Sequence, residues 1–151
     1  MKINFPFRLK TTFINMNSLY LLVCLGIISC AFAMRQQAVA VKGTLLCGNR
    51  PASGVKVKIF DEDDGPDLDD LLDEGFTNAD GTFMLKGSES ELTDIDPKFK
   101  VYHECNDGIK PGQRKVKFEI PSHYIAAGGL ATKVFDIGVL NLETVFPGEE
   151  V

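Results

Sequence analysis

The 151-residue sequence has no Asn-x-Ser/Thr sequon, no Gly-x-Ser-x-Gly turn, only two histidines, and no excess of positive charge. Each absence excludes something. Without a sequon no N-glycan is expected. Without the glycine-flanked serine there is no strained nucleophile turn of the α/β-hydrolase kind. Ser122 and His123 are adjacent, and chain neighbours rarely form a catalytic hydrogen bond. Two histidines and four cysteines offer no four-ligand zinc spacing. A net charge of −5 lacks the basic footprint of a general nucleic-acid binder. Long apolar runs are missing as well. The longest, Leu19 to Ile28, falls short of the roughly 20 residues that span a bilayer.

That short run has the flanks of a secretory signal. Lys2, Arg8 and Lys10 precede it with no acidic residue among them, and Ala31-Phe32-Ala33 follows with the small-x-small pattern of a cleavage site. Residues 1–33 are therefore expected to be a signal peptide and 34–151 the mature domain. A membrane anchor is the alternative, and Met16 is an alternative start. Removing three of the 16 basic residues and none of the 21 acidic ones takes the net charge from −5 to −8. Cys24 and Cys30 leave with the signal. The remaining pair, Cys47 and Cys105, reads as one disulfide in an oxidising compartment.

After residue 38 the sequence alternates. Val39, Val41, Leu45 and Cys47 share one parity; Val55, Val57 and Ile59 alternate with Lys56 and Lys58; Phe83 and Leu85 follow a turn. Phe99, Val101, His103 and Cys105 share parity, and Val116, Phe118 and Ile120 alternate with Lys115, Lys117 and Glu119. Period two marks strands with one buried and one wet face. Phe135 and Ile137 switch parity to Leu140 and Leu142 around Gly138, as a bulge at a glycine would. Turn signals separate the runs, and Asn78-Ala79-Asp80-Gly81 is expected to close a hairpin. About seven strands make an all-β sandwich. Pro66, with Leu68, Leu71 and Leu72 on one face, predicts one or two helical turns at most. Both thiols fall on inward parity, and closing their loop removes about 4 kcal/mol of unfolded-chain entropy.

The sequence resembles the nematode transthyretin-like family of secreted proteins over nearly all of residues 39–148. The resemblance is carried by Val41-Lys42-Gly43-Thr44-Leu45-Leu46-Cys47, by Gly54-Val55-Lys56-Val57-Lys58-Ile59-Phe60-Asp61, and by Thr77-Asn78-Ala79-Asp80-Gly81-Thr82-Phe83. More specific are Ile95-Asp96-Pro97-Lys98, Tyr102-His103-Glu104-Cys105-Asn106-Asp107 and Phe135-Asp136-Ile137-Gly138. It implies a transthyretin-like β-sandwich and an extracellular location, with no established activity for the family as a whole. Members often carry a cysteine in the Pro-x-Gln-Arg-Lys segment and another near the C-terminus. Here Gly112 occupies the first position and the chain ends Pro147-Gly148-Glu149-Glu150-Val151, so both halves of that bridge are missing together. The absence supports pairing of Cys47 with Cys105 and puts tight anchoring of the C-terminal tail in doubt.

Candidate chemistry is sparse. Nine carboxylates fall between Asp61 and Glu74, among them Asp63, Asp64 and Asp67. Calcium favours such oxygens, but placing Gly65 or Gly81 at the sixth loop position puts Phe60 or Phe76 at the first, so the EF-hand spacing fails. A solvated acidic loop is expected. His103 reads as a core or sheet-end histidine. The hydroxyisourate hydrolases, which share the transthyretin-like fold, end in a Tyr-Arg-Gly-Ser motif that is absent here. Lys56, Lys58, Lys98, Lys100, Lys115 and Lys117 all take the polar parity. The family resemblance implies that their three strands share a sheet, which makes them a candidate anion-binding face; ordinary solubilising charge is the alternative. The leading expectation is a secreted, non-enzymatic module without metal or cofactor. It would bind an extracellular protein, a cell surface or a lipid. An oligomeric carrier of a small hydrophobic ligand is the alternative, and a hydrolase the weakest reading.

Overall fold

The computed structural model describes residues 17, 20–25, 34–62, 69–108 and 111–150. The chain divides into two units, Met1–Met34 and Arg35–Val151. In the first, residues 20–25 are helical and exposed. The basic leader and the Ala31-Phe32-Ala33 pattern lie outside the described residues. Among the described residues no helix is long and apolar enough to cross a membrane.

The second unit is a β-sandwich, as the alternation predicts. Its strands are β1 (Arg35–Cys47), β2 (Arg50–Pro51), β3 (Lys56–Asp61), β4 (Asp70–Phe76), β5 (Thr82–Glu91), β6 (Pro97–His103), β7 (Arg114–Glu119), β8 (Ala126–Ala127) and β9 (Phe135–Asn141). Seven of these have six or more residues; β2 and β8 have two each. One sheet is organised on β1, which pairs antiparallel with β2, β5 and β8 and parallel with β9. The other is antiparallel in the order β4-β3-β6-β7.

The inward parity of both sheets makes the core. Val39, Val41 and Leu45 of β1 and Phe83 and Leu85 of β5 meet Val57 and Ile59 of β3 and Phe99 and Val101 of β6. Phe83 and Phe99 stack across the gap with centroids 4.9 Å apart. Burying such side chains contributes about 1.5–3 kcal/mol each. The Cys47–Cys105 disulfide links the sheets, Cα to Cα 5.7 Å.

The expected bulge is present. Between the pairs Lys42↔Asp136 and Thr44↔Val139, β1 has one residue and β9 has two. Gly138 takes a positive φ of 69°. Opposite it Gly43 is needed for space, since a Cβ there would sit 2.4 Å from Ile137 Cγ1.

Three expectations are corrected. The Asn78–Gly81 turn is tight, with Gly81 N–H donating to Asn78 O at 2.9 Å and Gly81 at φ 79°. It does not close a hairpin, however: β4 before it pairs with β3 and β5 after it pairs with β1, so the turn carries the chain between sheets. Leu71 and Leu72, expected on a helical face, lie in β4; Pro66 and Leu68 are outside the described residues. The helical turn of the sandwich is a 3-10 turn at Ser122–Tyr124 instead. In β4 a register shift opposite Ile59/Phe60 frees Leu72 to pack on the core. Packing against Gly87, rather than helical spacing, decides its conformation. The third correction concerns the tail, which is held without a second disulfide, as described next.

Candidate anion-binding face and the buried charge beside it

Strands β3, β6 and β7 place all six candidate lysines on one face. Successive side chains of a strand point to opposite sides, and Val57, Ile59, Phe99, Val101 and Val116 of these strands are buried. Their neighbours therefore point outward. The register stacks them in rows across the sheet. Lys56 is opposite Tyr102, which is opposite Lys115. Lys58 is opposite Lys100, which is opposite Lys117. Phe60 is opposite Lys98, which is opposite Glu119.

Carboxylates interrupt this face. Glu74 of β4 lies between Lys56 and Lys58, at 3.2 and 3.1 Å. Glu62 bonds Lys117 and stands 3.6 Å from Lys98. Asp96 holds Lys98 at 2.8 Å. The hydrogen bonds from Lys58 and Lys56 lower the pKa of Glu74, and that from Lys117 lowers Glu62. Burial works against charge on Lys98, but its bond to Asp96 and the nearby Glu119 and Glu62 raise its pKa overall. Lys98 is thus a structural residue with 11% of its side chain exposed. Lys100 is different. Its ammonium has no carboxylate within 4 Å among the described residues and lies 5.7 Å from the Tyr102 ring and 5.8 Å from the Phe60 ring.

Several carboxylates of the acidic segment are likewise engaged. Besides Glu62 and Glu74, Asp73 accepts from the Lys86 N–H at 2.8 Å and ties β4 to β5. Asp63, Asp64 and Asp67 lie outside the described residues.

At the end of β6 and β7 charge is handled differently. Arg114, on the inward parity of β7, is 6% exposed. Its guanidinium donates to the carbonyls of Cys105 (2.6 Å), Leu142 (3.0 Å) and Thr144 (3.1 Å) and to both oxygens of Glu149. The bond from Arg114 holds Glu149 below the usual carboxylate range. Lys115 and Glu150 exchange two backbone hydrogen bonds, 2.7 and 3.0 Å. This anchors the tail where a second disulfide is missing, contrary to the expectation from Gly112. Sequence reasoning passed over Arg114, although a cation in step with Val116, Phe118 and Ile120 was a signal of it. His103, opposite Arg114, is 2% exposed, as a sheet-end core histidine should be.

A third feature is an apolar cleft of about 380 Å³ between the free sides of β7 and β9, lined by Phe118, Phe135, Ile137 and Leu140 with Glu119 and Asp136.

Known proteins resemble this chain in the following respects. A family model described as the transthyretin-like family matches residues 42–121, a span that holds both bridged cysteines and all six lysines. Transthyretin-like protein 46 of Caenorhabditis elegans is 58% identical over 136 residues, covering 89% of this chain and 75% of that one. Transthyretin-like protein 5 of the same organism is 47% identical over 131 residues, 87% of this chain and 94% of that one. Among solved structures, a 9R-lipoxygenase from Cyanothece matches 70% of this chain and 16% of its own, at 22% identity and a TM-score of 0.38, a likeness too slight to carry an argument.

Proposed function

The chain belongs to the transthyretin-like family, and from that premise we propose that it is a secreted, non-enzymatic binding module whose four-stranded sheet receives an anionic cell-surface or lipid ligand. Residues 1–33 are removed on export in this reading, and 34–151 act outside the cell. One observation carries it. Lys58, Lys100 and Lys117 stand directly opposite one another on three adjacent strands. Like charges directly opposite on a sheet are destabilising, so the row costs stability in the free protein. Glu74 and Glu62 relieve its two ends, and among the described residues only aromatic rings attend Lys100 at the centre. A phosphate or sulfate group seated there removes the remaining repulsion. Local potential of this kind acts even on a protein of opposite net charge.

The test uses phosphatidylserine vesicles in one arm and heparin in the other, which separates lipid phosphate from glycan sulfate. Wild type binds at low salt and weakens steeply as salt is raised, because screening acts over about 8 Å at physiological strength. The variant with Lys58→Glu, Lys100→Glu and Lys117→Glu, checked for fold by circular dichroism, binds neither. Equal behaviour of wild type and variant in both arms overturns the proposal.

A further inference from the structure

The cleft between β7 and β9 lies on the open side of the sandwich. Among the described residues each of the two pairs with one long strand only, β7 with β6 and β9 with β1. One wall of the cleft is built by the bulge. Phe135 and Ile137 share a parity, and Leu140 would fall on the opposite face of a regular strand. The extra residue at Gly138 brings it back, so Phe135, Ile137 and Leu140 line the same cleft. Gly43 makes the room, since a Cβ there would collide with Ile137. Phe118 supplies the facing wall. Ring contacts hold both walls: Phe118 lies 6.3 Å from Phe99 and 5.6 Å from Phe146, and Phe135 lies 5.0 Å from Tyr124. The charged groups lining the cleft are two carboxylates, Glu119 and Asp136. Asp136 is engaged, standing 3.2 Å from Lys42 and accepting from the Gly138 N–H at 2.9 Å. Glu119 is exposed and has no cation within 4 Å among the described residues. Lys98, opposite it in the register, turns its ammonium to Asp96 and Glu62 instead.

We propose that this cleft is a binding site for a small cationic amphiphile, an alkyl- or arylammonium compound whose apolar body lies on Phe118, Phe135, Ile137 and Leu140 and whose head meets Glu119. Size and lining select a small ligand. The cleft holds about 380 Å³, and small-molecule sites run from roughly 300 to 1,000 Å³, with apolar walls and a few placed polar groups. Walls already fixed by neighbouring rings need little ordering when a ligand arrives. The sign of the charge then selects the head. An anionic head, such as that of a fatty acid, adds a third negative charge beside Glu119 and Asp136 and is repelled. An ammonium gains a counter-ion that Glu119 has free to give. An ion pair at an exposed rim is weak, so the walls set the affinity and the carboxylate sets the preference between heads. The site lies within one chain and requires no oligomer. It uses none of Lys58, Lys100 and Lys117, and so stands or falls apart from the lysine face.

Two probes of equal chain length, octylammonium and octanoate, test it when titrated into the full chain at about pH 7, where both are charged. The methyl NMR signals of Ile137 and Leu140 report occupancy of the cleft. Octylammonium should shift both saturably. Octanoate should bind about tenfold more weakly, one attraction being lost and one repulsion added. Glu119→Gln, a change on the exposed side of β7 that leaves the core intact, should weaken octylammonium about fivefold and bring the two probes closer together. Three results would overturn the proposal: no saturable shift at Ile137 and Leu140, equal affinity for the two probes in wild type, or an unchanged octylammonium affinity in Glu119→Gln.

Discussion

The lysine row of β3, β6 and β7 and the Arg114 site lie in the same sheet, and they treat charge in opposite ways. Arg114 is removed from water, and its donors are matched by three carbonyls and a carboxylate. Lys58, Lys100 and Lys117 are left partly in water and set against each other. The first arrangement has no spare bonding capacity for a visitor and is costly to disturb. The second is inexpensive to disturb and has capacity to spare. The contrast assigns charge that holds the fold to one region and charge free to act to the other.

Cross-links and ion pairs at the closed end should dominate stability. Replacing Cys47 and Cys105 together by Ala frees a loop of 58 residues and should lower unfolding stability by about 4 kcal/mol, read from the urea midpoint. A loss under about 1 kcal/mol would mean that the Arg114 bonds hold that end without the disulfide. Arg114→Met should cost about 3 kcal/mol, because it strands Glu149 as a buried unpaired carboxylate and leaves three carbonyls without their donor. Near-neutrality would show that the site is no more structural than the surface row. Lys100→Gln should stay within about 0.5 kcal/mol of wild type, relief from Lys58 and Lys117 offsetting the two lost ring contacts. A loss beyond about 1 kcal/mol would erase the distinction between the regions.

The sandwich was legible because alternation states directly which side chains face inward. It placed Val57, Ile59, Phe99 and Val101 in the core and located the bulge at Gly138. The disulfide and the outward lysines follow from the same parity, though the lysines share a sheet only once strand order is known. What alternation does not carry is connection. The Asp-Gly turn looks the same whether its strands pair or part, and it is the pairing of β4 with β3 and β5 with β1 that separates them. Nor does local spacing foretell that Leu72 will pack on Gly87, which makes a strand of a leucine pattern that also suits a helix. The tail was misjudged for a similar reason. A missing cysteine is visible in the sequence, whereas a carboxylate 35 positions from its arginine is not paired with it until the chain folds.

The bulged pairing of β1 with β9 has a mechanical consequence. The two strands run parallel, from Val41 to Leu46 and from Phe135 to Asn141, and are the first and last long strands of the sandwich. Opposed tension on the chain ends pulls them in opposite directions along their length. Their hydrogen bonds are then strained together in shear and do not unzip one after another. The Cys47–Cys105 bridge lies past the end of this pairing and takes no share of that load. Tethered at both ends, the domain resists extension through its backbone ladder.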